Sequence, residues 1–291
     1  MPSLKDLRNR ITSVKSTKKI TSAMKMVAAA KLKRAQDNAE RTRPYAEKMK
    51  EVVSSLIGKI NQDTFRFGNK NKSNNNILLI ICSSDRGLCG GFNSSIIKFT
   101  KKLTAKYKDE GKKINFLFVG KKAYQSLKRT ESSLIIDTLS DFANPSIKFE
   151  IASSIRDKLL ELFFKKEIGE CYLIYTKFKS AISQSVEIQK LLPVQNETTP
   201  ENINSKVISY DYEPSEEIIL DEIIPRNIAI QIHSALLENL ASEQGSRMTA
   251  MDNATRNAND MIDNLTLFYN RSRQALITSE LIEIISGAEA V

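Results

Sequence analysis

RNIAIQIHSALLENLASEQGSRMTAMDNATRNANDMIDNLTLFYNRSRQALITSELIEII, residues Arg226 to Ile285, runs for sixty positions without a proline and with one glycine, Gly245. Such a run reads as one continuous helix, about 90 Å long at about 1.5 Å per residue. A compact domain made from the middle of the chain would have a radius of gyration of about 14 Å. The helix is therefore expected to project beyond any such body. Met251, Ala254, Ala258, Met261, Leu265, Phe268, Ser272, Ala275, Ser279 and Ile282 follow at alternating three- and four-residue steps, the seam of a left-handed coiled coil. A partner helix is implied. With alanines and serines on the seam the partner approaches closely but gains little buried area per contact, so further contacts from outside the chain are expected.

The partner is legible at the other end of the chain. Leu4, Leu7, Ile11, Val14, Thr21, Ala28, Leu32, Ala35 and Ala39 lie on the same kind of steps, interrupted at Lys18 and Lys25. Ser3 and Asp6 form a box-like start after Pro2, and Pro44 is expected to kink the helix near Thr42 before it resumes over Tyr45 to Ile60 and ends near Gly58. The first helix leads into the middle of the chain and the last leads out of it, so if they pair they are antiparallel.

Between them the period changes. Asn61 to Asn76 reads as a polar linker, and Ile77–Ile81, Ile114–Val119, Leu134–Ile136 and Cys171–Tyr175 read as short strands. Ser94–Lys108, Lys121–Lys128 and a segment from Asn144-Pro145 to about Glu167 read as helices. Gln184–Leu192 and Lys206–Tyr212 are candidate edge strands, and Pro214 and Pro225 punctuate the return to helix. The alternation predicts a small α/β, Rossmann-like domain with a mainly parallel sheet, inserted between two long terminal helices that form an antiparallel coiled coil. The corresponding divisions are residues 1–60, 77–212 and 214–291.

The chain has 291 residues, 41% hydrophobic and 27% charged, the composition of an ordinary soluble protein, with no apolar run long enough to span a bilayer and no signal peptide. Its net charge of +10 is carried by the first fifty residues, where 14 Lys and Arg face 4 Asp and Glu. That basic helix is open to four readings: a targeting presequence, a nucleic-acid-binding helix, a surface for an acidic protein partner, or a plain solvated face. Cys82, Cys89 and Cys171 lack the spacing of a zinc site and are too few for a disulfide framework, so reduced thiols are expected. The single histidine, His233, sits on an apolar helix and reads as a packing or surface residue. No cofactor or metal is implied.

Asp85-Arg86-Gly87-Leu88-Cys89-Gly90-Gly91 follows the first strand and precedes a helix, where a phosphate-cradling loop would sit. A dinucleotide fingerprint would want glycine at Cys89, and a Walker loop would want Lys-Ser or Lys-Thr after its last glycine. Gly87, Gly90 and Gly91 instead read as a tight strand-to-helix turn that uses positive φ, and ATP binding by the chain alone is not expected.

Three segments together carry a resemblance. Ile20 to Ala29 (ITSAMKMVAA), Asp85 to Gly91 with Asn93, and Ile277-Thr278-Ser279-Glu280 through Glu283 to Gly287-Ala288 closely resemble the gamma-subunit family of F-type ATP synthases, as does Ser242-Glu243-Gln244 before Arg247-Met248. The resemblance runs from end to end and implies a non-catalytic rotor subunit, one copy per complex. Its paired terminal helices would form an asymmetric shaft in a ring of alpha and beta subunits. Its α/β foot would sit on the membrane c ring beside epsilon, with delta also in the complex, and would couple proton-driven rotation to ATP synthesis on beta. Met24 and Lys25 would face an acidic loop of beta, and Arg247, Gln274, Thr278 and Glu280 match family positions at or near the ring. The cysteine pair of the chloroplast branch is missing, since no cysteine follows Cys171. The family's first motif begins almost at Met1, which favours a bacterial protein at the cytoplasmic face of the inner membrane. The rival reading is a basic coiled-coil protein that binds nucleic acid.

Overall fold

The computed structural model describes residues 3–57, 65–68, 74–131, 134–143, 146–194 and 216–289. Ten elements follow in order: α1 (Leu4–Ile57), β1 (Asn76–Cys82), α2 (Phe92–Asp109), β2 (Lys113–Val119), α3 (Lys121–Glu131), β3 (Ile135–Leu139), α4 (Phe149–Phe164), β4 (Glu170–Phe178), β5 (Gln184–Leu192) and α5 (Glu216–Glu289). Two compact units emerge, one of residues 1–29 and 247–291 and the other of residues 30–246. Both long helices run through the two units.

In the larger unit the five strands lie in the order β3-β2-β1-β4-β5. The first four are parallel and β5 is antiparallel to β4. Ile77 to Ile81 is a run without polar relief because both faces of β1 are covered. Ile77, Leu79 and Ile81 face α2 and α3 through Phe92, Ile96, Ala123 and Leu127. Leu78, Ile80 and Cys82 face a second core that takes in Ile155 and Leu159 of α4, Val53 and Leu56 of α1, and Leu220, Ile224, Ile228 and Ile232 of α5. One end of each long helix is thus a covering layer of the sheet. All three cysteines are free and buried, and burial pushes the Cys82 thiol up to about 12.

Several boundaries differ from those read in the sequence, each for a physical reason. Helix α5 begins at Glu216 and passes through Pro225, which was expected to precede it. The hydrogen bond lost at the proline is outweighed by Leu220, Ile224 and Ile228, which are buried on either side of it. Helix α1 also runs through Pro44 and ends at Ile57, close to the end read near Gly58, held by Val53 and Leu56. The stretch taken as a polar linker contains two core residues, Phe65 and Phe67, the second stacked at a tilt on Phe164 at 5.4 Å. Helix α4 starts at Phe149, later than Asn144-Pro145, and those two residues lie outside the described set, as do Gly58, Pro214, Val291 and the strand expected at Lys206–Tyr212. The Ser3–Asp6 box forms as read: Asp6 N–H donates to Ser3 Oγ at 3.2 Å, and Ser3 N–H donates to Asp6 Oδ2 at 3.3 Å.

One buried acid gives the larger unit a pH dependence. Glu238 of α5 lies beside a cavity of about 430 Å³ that Arg43, Lys177 and Gln231 also line. Its Oε2 atom is buried with no hydrogen-bond partner. Burial, against the attraction of Lys177 and Arg43, raises its pKa from the ordinary 4.5. A carboxyl whose folded pKa is raised contributes stability below its unfolded pKa and loses it as pH climbs through the folded value. Glu238→Gln removes that loss, so its urea midpoint should gain on the parent as pH is raised from about 4.5 toward 7. Parallel midpoint-versus-pH curves for the two proteins would contradict the assignment.

Candidate functional site: the paired terminal helices

In the smaller unit, residues 4–29 of α1 lie antiparallel to residues 247–289 of α5. The register is set by polar pairs. Lys25 Nζ donates to Asp252 Oδ1 at 2.6 Å, Thr255 Oγ1 donates to Thr21 Oγ1 at 2.8 Å, and Lys18 Nζ donates to Asn259 Oδ1 at 2.7 Å. Asp252 also meets Arg256 at 2.8 Å, and its hydrogen bond from Lys25, with Arg256 beside it, holds its carboxyl below the usual range. The two lysines that interrupt the α1 seam are therefore accommodated by the facing helix. The spacing was a usable signal: Lys18, Thr21 and Lys25 step by three and four, and Asp252, Thr255 and Asn259 do so in the mirrored order.

On α1 the seam residues Leu7 and Thr21 are buried, and Leu4, Ile11 and Val14 are partly so. On α5 the burial pattern corrects the expected seam. Met251 and Ala258 are buried, and Ala254, Leu265 and Ser272 partly so, as read, but Ile262 and Tyr269 take the inward places read for Met261 and Phe268. Met261 is 53% exposed and Phe268 45%. Apolar residues stand side by side at 261–262 and at 268–269, and only the second of each pair faces α1.

From Arg273 to Ala288 every residue of α5 is exposed. Continuing the register places Leu4 beside about residue 273, at about one residue of α1 for each residue of α5. Past that point α5 has outrun its partner. Ala275, Ser279 and Ile282, placed on the seam by their spacing, are consequently exposed. The unaccompanied stretch carries Gln274, Thr278 and Glu280, all exposed, with the Thr278 hydroxyl donating back to the Gln274 carbonyl at 2.9 Å. It also carries Leu276, Ile277, Leu281, Ile282, Ile284 and Ile285, which are between 47% and 67% exposed. At about 100° per residue these six span about 240° of the helix circumference. Earlier in the paired stretch, Ile20, Met26 and Val27 of α1 are 60%, 69% and 57% exposed, while Met24 and Arg247 are half-buried.

The loop after β1 directs its polar groups inward. Asp85 accepts from the N–H of Lys121 at 3.1 Å and from that of Asp141 at 2.9 Å, which ties together the loops that follow β1, β2 and β3. Asn93 Nδ2 donates to Ser84 Oγ at 2.7 Å and to Cys89 Sγ at 3.1 Å. Of the loop's glycines Gly90 has positive φ, at 56°, while Gly91 has φ −80° as the N-cap of α2; the non-glycine Leu88 is held at φ 64°. Among the described residues no group of three His, Cys, Asp or Glu side chains is placed to hold a metal ion. His233 packs edge-on against Phe149 at 5.6 Å, and burial lowers its pKa.

Three further residues tie α5 to the sheet, of which Asn239 and Ser246 carry no signal in the sequence and Ser242 belongs to the Ser242-Glu243-Gln244 segment. Asn239 Oδ1 accepts from the N–H of Thr176 at 3.2 Å, the Ser242 hydroxyl donates to the Thr176 carbonyl at 3.0 Å, and the Ser246 hydroxyl donates to Gln184 Oε1 at 2.9 Å. They lie on one helix face at three- and four-residue steps, a polar row within an apolar surface.

Comparison with known proteins agrees with this geometry. The family profile described as ATP synthase matches residues 3–291. A relative from Sinorhizobium fredii (strain NBRC 101917 / NGR234), an ATP synthase gamma chain, is 50% identical over 293 residues, covering 100% of both chains. The ATP synthase gamma chain of Pelagibacter ubique (strain HTCC1062) is 48% identical, again over 100% of both. Among solved structures, a chain of the Euglena gracilis mitochondrial ATP synthase, OSCP/F1/c-ring in rotational state 3, superposes with a TM-score of 0.76 at 20% identity, covering 99% of this chain and 94% of that one. A chain of the Tetrahymena thermophila mitochondrial ATP synthase central stalk and c ring gives a TM-score of 0.59 at 29% identity, covering 81% and 99%. With its whole length matched by the profile and by relatives near 50% identity, the chain belongs to the ATP synthase gamma-chain family.

Proposed function

We propose that residues 4–29 and 247–289 form a shaft that turns within a ring of alpha and beta subunits, while the α/β unit is carried on the c ring beside epsilon at the cytoplasmic face of a bacterial inner membrane, with delta elsewhere in the complex. The chain is a non-catalytic, central-stalk subunit of ATP synthase. Among the described residues no helix is long and apolar enough to cross a membrane, consistent with a peripheral place in that complex. Nucleic-acid binding finds no support among these relatives.

The observation that carries the shaft reading is the last stretch of α5, exposed from Arg273 to Ala288 and apolar around most of its circumference. A helix paired with one neighbour keeps its outer side polar, whereas a helix that is apolar around most of its circumference is suited to a surface that surrounds it. Gln274, Thr278 and Glu280 would then meet the ring near the tip, and Arg247 would meet it lower on the shaft. The polar row Asn239, Ser242 and Ser246 would pass torque from the sheet to α5, because hydrogen bonds of fixed geometry resist relative rotation.

Because all three native cysteines are buried, one surface thiol can be labelled selectively. A bead attached through Ser126→Cys on α3 should rotate in one direction when ATP is supplied to a surface-fixed alpha–beta complex holding the chain. A bead that stays still while ATP is hydrolysed would overturn the shaft reading.

Lys25 admits a sharper test. Its ammonium is bound to Asp252, so we take its main role to be fixing the register of the helix pair, with any acidic surface on beta as a second partner. Lys25→Glu sets two carboxylates against each other and should lower the yield of assembled complex. The exchange Lys25→Glu with Asp252→Lys restores opposite charges and should recover most of that yield and the ATP-driven proton pumping. Failure of the exchange to restore pumping would locate the essential partner of Lys25 on another subunit.

A further inference from the structure

The N-terminal helix is not the chain's only concentration of positive charge. Residues 98–131 contain eleven Lys and Arg against three Asp and Glu, a net of +8. They belong mostly to α2 and α3, which cover the same face of the sheet: Phe92, Ile96 and Tyr107 of α2 and Ala123 and Leu127 of α3 enter one core. Burying those faces turns the others outward together. Lys98, Lys101, Lys102, Lys106, Lys108, Lys128 and Arg129 are all exposed.

Lys108 is paired with Glu131 at 2.9 Å, and Lys106 lies 3.9 Å from Glu110. Lys98, Lys101, Lys102, Lys128 and Arg129 make no ion pair among the described residues. Helix α4, on the opposite face of the sheet, treats its cations differently. Arg156 pairs with Asp157, Lys158 with Asp137, and Lys165 beyond its end with Glu161. Helix α4 pairs its cations, whereas α2 and α3 carry a large excess of positive charge, which opposes folding through self-repulsion unless an anionic partner offsets it.

The composition of the patch narrows the partner. Protein interfaces are anchored by aromatic, Met or Arg side chains in desolvated pockets. None of the large exposed hydrophobic side chains lies on α2 or α3, and six of the seven exposed cations are lysines. Flexible, strongly hydrated ammonium groups without apolar anchors suit a diffuse, mobile array of negative charge. We propose that the outer face of α2 and α3 is an electrostatic docking surface for anionic phospholipid head groups. This goes beyond the shaft assignment and does not depend on it.

Vesicle flotation of the full chain tests the idea, with phosphatidylcholine alone and with about one third phosphatidylglycerol, an anionic content at which clustered lysines gain affinity. The parent should float only with the anionic vesicles, and 0.5 M salt should release it, about three times the ionic strength at which the Debye length is about 8 Å. The variant Lys98→Glu/Lys101→Glu/Lys102→Glu/Lys128→Glu should partition about a thousandfold less, read as loss of flotation. A matched reversal on α1, Lys5→Glu/Lys15→Glu/Lys31→Glu/Lys33→Glu, should reduce partitioning by less than about threefold. All eight sites are exposed, and circular dichroism checks that both variants fold. Equal flotation with neutral vesicles, or an α1 reversal as damaging as that on α2 and α3, overturns the proposal. So does a chain that ignores vesicles but binds polyglutamate or duplex DNA through the same lysines, which would assign the face to an acidic protein or a nucleic acid instead.

Discussion

Gly120→Ala should destabilise the α/β unit by roughly 4 kcal/mol, the sum of a backbone-strain and an overpacking penalty. Gly120 follows β2 with φ +104°, a conformation that side chains rarely adopt. A Cβ there would sit 2.2 Å from the carbonyl oxygen of Ser83 and 2.8 Å from its Oγ. Neither neighbour can yield cheaply. Ser83 N–H donates to the Val119 carbonyl at 2.7 Å, its Oγ accepts from the Ala123 N–H at 3.1 Å, and Gly120 N–H donates to the Leu139 carbonyl at 2.7 Å. The substitution therefore disturbs the ends of β1, β2 and β3 together. Urea denaturation should show the loss directly, and the variant should enter the complex poorly even though Gly120 lies outside the paired terminal helices. A loss under about 1 kcal/mol would mean that the crossing is looser than these distances imply.

The position illustrates what the sequence conveys and what it withholds. The runs Ile77–Ile81 and Ile114–Val119 announce strands because each face of a covered parallel sheet needs apolar residues. Nothing local marks Gly120, because its constraint comes from the pairing of β1 with β2, which brings Val119 beside Cys82 and so the next residue against Ser83. The helix pair shows the same division. On α1, Leu4, Leu7, Ile11 and Val14 stand singly at regular steps and mark the inward face, which Lys18, Thr21 and Lys25 continue while Ile20, Met26 and Val27 stay exposed. On α5, Met261-Ile262 and Phe268-Tyr269 offer two apolar candidates at each step, and the choice belongs to the partner's register, set by Lys18, Thr21 and Lys25. Periodicity alone chose Met261 and Phe268, which are exposed. Phe65 and Phe67 carry no signal for a related reason: two aromatic residues in a polar segment have no period, and what marks them is tertiary contact, Phe67 on Phe164 of α4 and Phe65 on Phe67.

Ending the chain after Glu283 should weaken assembly about thirtyfold yet leave most of the ATPase activity of each assembled complex. The cut removes Ile284 and Ile285, which are 67% and 59% exposed. Covering the exposed part of each in a surrounding surface contributes about 1 kcal/mol, so together they supply about 2 kcal/mol of affinity. Ending the chain after Ser272 also removes Leu276, Ile277, Leu281 and Ile282, and the loss should then be severe enough to prevent recovery of a complex. This graded outcome is specific to a bearing. A helix that must turn against its surroundings is best held by contacts that do not depend on angle, because each fixed hydrogen bond would have to break at every step. Apolar contact over about 240° of the circumference meets that need. The polar pairs that do fix an angle lie elsewhere: Lys25 with Asp252 and Lys18 with Asn259 inside the helix pair, and Asn239, Ser242 and Ser246 against the sheet. On the proposed shaft reading those contacts would carry torque within the chain without sliding, whereas the tip would only centre it. A complex cut after Glu283 that assembles at normal yield but hydrolyses no ATP would reverse that division, making the tip the element that drives the catalytic sites.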